Sequence, residues 1–205
     1  MEAGISKQVE FWFDVGSPAA YLAWKRWPKF ARQTGATVVY QPMLLGGVFK
    51  ATGNSSPVTV PAKGKWLLGD LARTARRDGV PLGYPPGFPI NTLTLMRIAI
   101  GLQQREAGRF LPYVDAIYDA IFGNPQDLRD EKVLAAVLSA AGFDATGTMA
   151  LAADPDIKQA LIRNTEEAVS RGVFGAPTFF VGDEMFWGQD RMDAVAEALA
   201  GHLGE

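Results

Sequence analysis

Four short stretches carry residue types that could do chemistry, and the first is "FDVGSPAAYL" (Phe13–Leu22). Ser17 follows Gly16 and precedes Pro18, which suits the N-cap and N1 positions of a helix. As a cap, its hydroxyl oxygen accepts a backbone N–H, worth about 1 kcal/mol. As a functional group, the same hydroxyl donates to an anion drawn to the positive end of the helix. A nucleophilic role is the weaker reading, because a serine without a base has nowhere to send its proton.

The second stretch is "GVFGAPTFFV" (Gly172–Val181), where Pro177 stands directly before an aromatic strand. Proline is tolerated at a strand's first residue, particularly as a cis peptide in a tight turn. A cis Ala176–Pro177 bond would leave the N–H and C=O of Ala176 free to pair with an extended peptide; an ordinary strand-entry proline is the plainer alternative. The third is "WGQDRM" (Trp187–Met192). Asp190 opens the last helix as a cap, or with Gln189 grips an α-amino and α-carboxylate group at that helix end. The fourth is "GNSSPVTVPAKGKW" (Gly53–Trp66), in which Asn54 reads as a turn residue and Lys63 as a solvated charge, or both as anchors for a small anion.

Composition narrows these readings. The 205 residues contain no cysteine, which excludes disulfides, thiolate metal sites and a protein-borne redox pair. There is a single histidine, His202, so a Ser-His-Asp hydrolase would have to recruit it from the far C-terminus. No cluster of His, Cys and carboxylates suggests a metal site. A net charge of -2 points to neither nucleic acid nor an anionic membrane as partner. No apolar run spans a bilayer, and the first ten residues lack the apolar core of a secretion signal. The expectation is a soluble, cytoplasmic protein.

The elements that must position these residues fall into three blocks. "VEFWFDV" (Val9–Val15) reads as a strand, followed by a helix from Ser17 to Gly35 that contains Pro28, and then the strand "ATVVYQP" (Ala36–Pro42). At the other end, "APTFFVGDEMFWG" (Ala176–Gly188) reads as two strands joined at Gly182-Asp183. The helix after it places Met192, Val195, Ala196, Leu199 and Leu203 on one face. Between the ends the strands vanish. Residues 51–90 are loop-rich around a helix from Lys65 to Gly79. Four further helices follow, with Gly108, Gly123, Gly142 and Gly172 as stops and Asp154-Pro155 as the start of the last. A β-α-β half and a β-β-α half in one sheet give a mixed α/β unit interrupted by an all-α block.

None of the four stretches is specific singly, but their order is. A strand, a serine at a helix mouth, a helical block and a proline opening a hairpin resemble the thioredoxin-like fold in its DsbA-like arrangement, an α/β fold with a large all-α insertion. Within that superfamily, "FDVGSPAAYLA", "PAKGKW", "GVFGAPTFFV" and "MFWGQDRM" resemble 2-hydroxychromene-2-carboxylate isomerases and the related kappa-class glutathione transferases. The resemblance runs from Val9 to about Leu203. It implies a thioredoxin-like domain of residues 1–45 plus 173–205 and a helical insertion domain of residues 46–172.

In this family serine holds the redox-cysteine position and bound glutathione supplies the thiol. The resemblance therefore implies glutathione as cofactor, Ser17 as the catalytic residue that contacts its sulfur, and an aromatic acid as substrate. It assigns Ala176 and Pro177 to the cysteinyl moiety, Gln189 and Asp190 to the γ-glutamyl end, Asn54 to a loop contact, and Lys63 to the glycyl carboxylate. The implied reaction opens the ring of 2-hydroxychromene-2-carboxylate reversibly to trans-o-hydroxybenzylidenepyruvate, a step in bacterial breakdown of naphthalene-type aromatics. A homodimer is implied too. The alternatives are a kappa-class transferase or peroxidase that consumes glutathione, and a glutathione-binding module without catalysis. Gly16, Ala19 and Ala20 stand where relatives often carry larger side chains, which widens the expected aromatic pocket. Tyr84, Phe88, Asn91 and Arg97 are candidates to line it.

Overall fold

A computed structural model describes residues 7–201. His202 and Leu203 lie outside the described residues. Strand β1 (Gln8–Phe13) pairs in parallel with β2 (Thr37–Pro42), with Gln8 opposite Thr37 and Phe13 opposite Pro42. On its other side β1 pairs antiparallel with β3 (Thr178–Val181), which pairs antiparallel with β4 (Glu184–Trp187). The strand order is β2-β1-β3-β4. Residues near the N-terminus and residues about 170 positions later thus share one sheet, as the two-ended reading expected.

The unbroken apolar run of β1 follows from its central place, since a strand covered on both faces does not alternate. Val9, Phe11 and Phe13 pack on one side among Trp24, Trp27 and Phe179, with the Phe11 and Phe179 rings 4.9 Å apart. Trp12 faces the other side, against Met43, Val48, Ala168 and Val173. The first of these clusters continues into the helical block through Tyr21, Tyr113, Tyr118 and Phe122.

Helix α1 (Pro18–Thr34) begins and ends as read. Ser17 caps it in an extended conformation, and Gly35 closes it at φ 71°, donating to the Ala31 carbonyl. The helix passes through Pro28 as one element. Helix α2 (Leu45–Thr52) has no counterpart in the sequence reading, and its two glycines explain why. Tertiary contacts form it: a carboxylate receives the Leu45 N–H at 2.8 Å, and Gly47 lies where a Cβ would sit 3.0 Å from Thr165 Cγ2. Helix α3 (Pro61–Asp78) starts four residues earlier than expected, with Pro61 at its first position, so Lys63 sits in a helical first turn.

Helices α4 (Leu93–Arg105) and α5 (Ala107–Tyr118) break at Glu106, and Gly108 lies inside α5 instead of closing α4. A π-helical turn, Asp119–Gly123, follows α5. Helix α6 (Glu131–Ala140), the short α7 (Ala145–Ala150), absent from the sequence reading, and α8 (Pro155–Ser170) complete the block. Asp154 caps α8 through the N–H groups of Asp156 and Ile157. Helix α9 (Met192–Leu199) is preceded by a 3-10 turn, Gln189–Arg191. Asp190 belongs to that turn and does not cap α9. Among the described residues, no helix is long and apolar enough to cross a membrane.

Candidate functional site

The mouth of α1 meets the turn before β3. Ser17 is 5% exposed; its Oγ accepts the Ala20 N–H at 3.1 Å and donates to the Ala176 carbonyl at 2.9 Å. The hydroxyl is therefore both a helix cap and a link between the two ends of the chain. The Ala176–Pro177 bond is cis. The Ala176 carbonyl, expected to be free, is taken by Ser17, because the cap geometry leaves the hydroxyl hydrogen pointing across the mouth. The Ala176 N–H has no partner among the described residues and matches the expectation.

Beneath the mouth lies Asp14, 1% exposed, which the sequence reading did not single out. Its Oδ1 accepts the Gly16 N–H at 2.8 Å; its Oδ2 accepts the Leu45 N–H at 2.8 Å and the Thr92 hydroxyl at 3.0 Å. One carboxylate thus ties together the N-terminal ends of α1, α2 and α4. Burial pushes its carboxyl above the usual range, while the three donors pull it back toward the charged form. The signal available in the sequence was an aspartate two residues before a glycine, the pattern of a side chain closing its own turn. Gly16 is tightly held: a Cβ there would sit 2.8 Å from Thr92 Cγ2. A larger side chain at this position would displace Thr92 from Asp14.

Ser17 and Ala176 open onto a cavity of about 510 Å³. Its walls are largely apolar, with Phe49, Leu68, Leu71, Phe88 and the half-exposed Trp187 among them. Asn54 is on its rim, where Nδ2 donates to the Phe174 carbonyl at 2.9 Å and Oδ1 accepts the Ser55 N–H at 2.8 Å. Phe88 and Asn91 line the cavity as expected. Tyr84 packs against Phe88, the rings tilted with centroids 5.0 Å apart, but lies outside the lining, and burial pushes its phenol up to about 12. Arg97 lines a different cavity altogether.

The remaining candidates spread outward. Lys63 is exposed on α3 and outside the lining. Gln189 is buried, but Arg26 donates to its backbone carbonyl at 2.9 Å and approaches its side-chain Oε1 at 3.4 Å. The exposed Asp190 pairs with Arg191 at 3.3 Å. Ser17, Ala176 and Asn54 therefore line one mouth, with Pro177 next to Ala176, whereas Gln189, bonded to Arg26, and Lys63 lie outside the lining. Among the described residues no group of His, Cys, Asp and Glu could hold a metal ion.

Chemically, the mouth offers one hydroxyl, one uncommitted N–H and a positive helix end beside an apolar chamber. That combination suits an anion carried by, or facing, an apolar or aromatic body.

Residues 8–200 match the family model of the DSBA-like thioredoxin domain. A protein from Sphingobium xenophagum named 2-hydroxychromene-2-carboxylate isomerase is 35% identical over 198 residues, covering 95% of this chain and 99% of its own. Glutathione S-transferase kappa 1 of Caenorhabditis elegans is 28% identical, covering 94% of this chain and 90% of its own. A solved structure of a 2-hydroxychromene-2-carboxylate isomerase superposes with a TM-score of 0.82 at 32% identity, covering 95% of both chains.

Proposed function

The chain belongs to the DSBA-like thioredoxin family, in its 2-hydroxychromene-2-carboxylate isomerase branch, and from that premise we infer that it is a glutathione-dependent isomerase. The reaction is the interconversion of 2-hydroxychromene-2-carboxylate and trans-o-hydroxybenzylidenepyruvate. The observation that carries this reading is the buried Ser17 hydroxyl at the mouth of α1, facing Ala176 across the entrance to an apolar chamber, in a chain without cysteine.

The residues present fit glutathione. The Ala176 N–H lacks a partner, as an extended peptide docking beside β3 requires, and Asn54 and the exposed Asp190 stand at the periphery with polar groups. Bound glutathione would supply a thiolate that adds to the conjugated acid and leaves again after isomerisation. A free thiol has a pKa near 8.5, so holding it ionised at neutral pH needs about 1.4–2.8 kcal/mol of differential stabilisation. The N-terminus of α1, together with the Ser17 hydroxyl once its hydrogen swings from the Ala176 carbonyl to the sulfur, would supply that stabilisation. Asp14 keeps the mouth in register by holding three helix ends, and Phe49, Leu68 and Phe88 exclude water around the aromatic body. A homodimer is part of the same reading, and the exposed Trp66 on α3 offers apolar surface for it.

Ultraviolet absorbance with the chromene acid tests the reading. Interconversion above the glutathione-only blank is expected, with glutathione undiminished at the end. The kappa-class relative favours a second reading, conjugation. In that case a model electrophile would consume glutathione stoichiometrically without isomerisation. Binding without turnover of either substrate would leave a non-catalytic module.

A further inference from the structure

A second cavity, of about 520 Å³, lies on the opposite flank of α2, between that helix, the first turn of α4 and α8. It shares no lining residue with the chamber at Ser17: Leu45, Gly46 and Phe49 face one, Leu44, Gly47 and Lys50 the other. Its lining on α8 runs from Lys158 to Ser170, about 18 Å along the axis at 1.5 Å per residue. The floor is apolar, with Leu44, Leu93, Leu161 and Val169. It is a trough, not a pit.

Three cations line this trough, Lys50, Arg97 and Lys158, against one carboxylate, Glu166. None of the three forms an ion pair among the described residues. Arg97 is the telling one, because it lines the trough with no carboxylate paired to it, and its Nε, closed off from solvent, has no hydrogen-bond partner either. A buried donor without an acceptor costs on the order of its desolvation, so structures rarely keep one idle. Helices α4 and α8 run antiparallel: Arg105 pairs with Asp154 at 2.6 Å, and Gly101 abuts Ile157. That register puts Arg97 opposite Leu161, one turn from Lys158. Two of the cations therefore gather at one end of the trough.

An uncharged apolar guest would leave the Arg97 and Lys158 charges without a counter-ion, and a polyanion would set charge against leucines. A single carboxylate on an elongated apolar body satisfies both surfaces. We propose that the trough is a second binding site, for an apolar monocarboxylate whose charge rests on Arg97 and Lys158 and whose body lies along α8. An acyl chain and an aromatic acid share this chemistry. The site is independent of the reaction at Ser17.

Calorimetry on the full chain decides it, with octanoate and 4-phenylbutyrate as probes and octanamide as the uncharged control. At least one carboxylate binds, and octanamide binds at least tenfold more weakly. The tighter of the two assigns the acyl or the aromatic source. Arg97→Met weakens the carboxylate at least tenfold and leaves octanamide unchanged. Ile162→Glu, at a 45% exposed position on the lining, puts a charge beside the guest's body and weakens the carboxylate and octanamide alike, without touching the core. No heat from either carboxylate overturns the proposal. So does binding unchanged in both variants, which places the ligand elsewhere. A change in sedimentation mass caused by Ile162→Glu also overturns it and gives the face to a second copy of the chain.

Discussion

The Ser17 hydroxyl donates to the carbonyl of Ala176, 2.9 Å away and 159 residues along the chain, while its oxygen accepts the Ala20 N–H. A hydroxyl has one hydrogen, so Ser17 can serve the carbonyl or a bound sulfur, but not both at once.

Ser17→Ala separates these roles. Loss of the cap and the cross-chain bond lowers stability by about 1–2 kcal/mol in urea melts. If the hydroxyl steadies the sulfur, the thiol pKa of bound glutathione also rises by about one unit and turnover falls about tenfold or more. Full turnover in the folded variant would confine Ser17 to capping.

Asp14 makes a pH-dependent prediction. Burial raises its carboxyl above 3.8, so the native state holds a proton that the unfolded chain has already released. Stability contributed at this site therefore falls as pH rises from 3.8 through the raised native value, then levels off. Asp14→Asn abolishes that slope. It also leaves one acceptor for three donors, costing about 1–3 kcal/mol at neutral pH. Urea melts of both proteins from pH 3 to pH 7 check the sign, and parallel curves would contradict it.

Gly175→Ala probes the chamber wall. A Cβ there would sit 2.5 Å from Trp187 Nε1, and the indole, half exposed, has room to swing. The expected result is a raised KM for the aromatic acid, by several-fold, with an altered tryptophan emission spectrum and little loss of stability. An unchanged KM would remove Trp187 from the substrate's surroundings.

Gln189 and Asp190, adjacent in sequence, should part company. Gln189→Ala disturbs a buried neighbour of Arg26 and acts on stability, by about 1 kcal/mol. Asp190→Asn, at an exposed position, acts on glutathione KM and leaves the melt unchanged. The reverse pattern in steady-state kinetics would restore Gln189 as the γ-glutamyl contact.

What was legible in the sequence is what local chemistry decides. Ser17-Pro18, Asp154-Pro155 and Gly35 announce helix ends because caps and left-handed glycines act within a few residues. Helix α2 was not legible: its glycines argue against a helix, and Asp14 and Thr165, which hold it, are distant in sequence. Gly108 misled because a glycine signals a stop only where it turns left-handed; Gly108 does not, and α4 ends instead at Glu106, at φ -142°. At the site, the residue types were readable and their mutual contacts were not. The bond from Ser17 to Ala176, the three donors on Asp14 and the bonds from Arg26 to Gln189 each depend on elements that only packing brings together.

The placing of β1 between β2 and β3 also bears on how the protein is made. A ribosome delivers the chain N-terminus first, at about 5–20 residues per second. β1, α1 and β2 can pair early, but the other edge of β1 waits for β3, at Thr178–Val181. Throughout that interval Phe11 and Trp12 lack their strand partners Phe179 and Thr178, and Ser17 lacks its carbonyl. The entrance to the chamber is thus among the last parts to be assembled. A message cut short before Thr178 yields an open strand edge with no site, a product suited to chaperones and proteases.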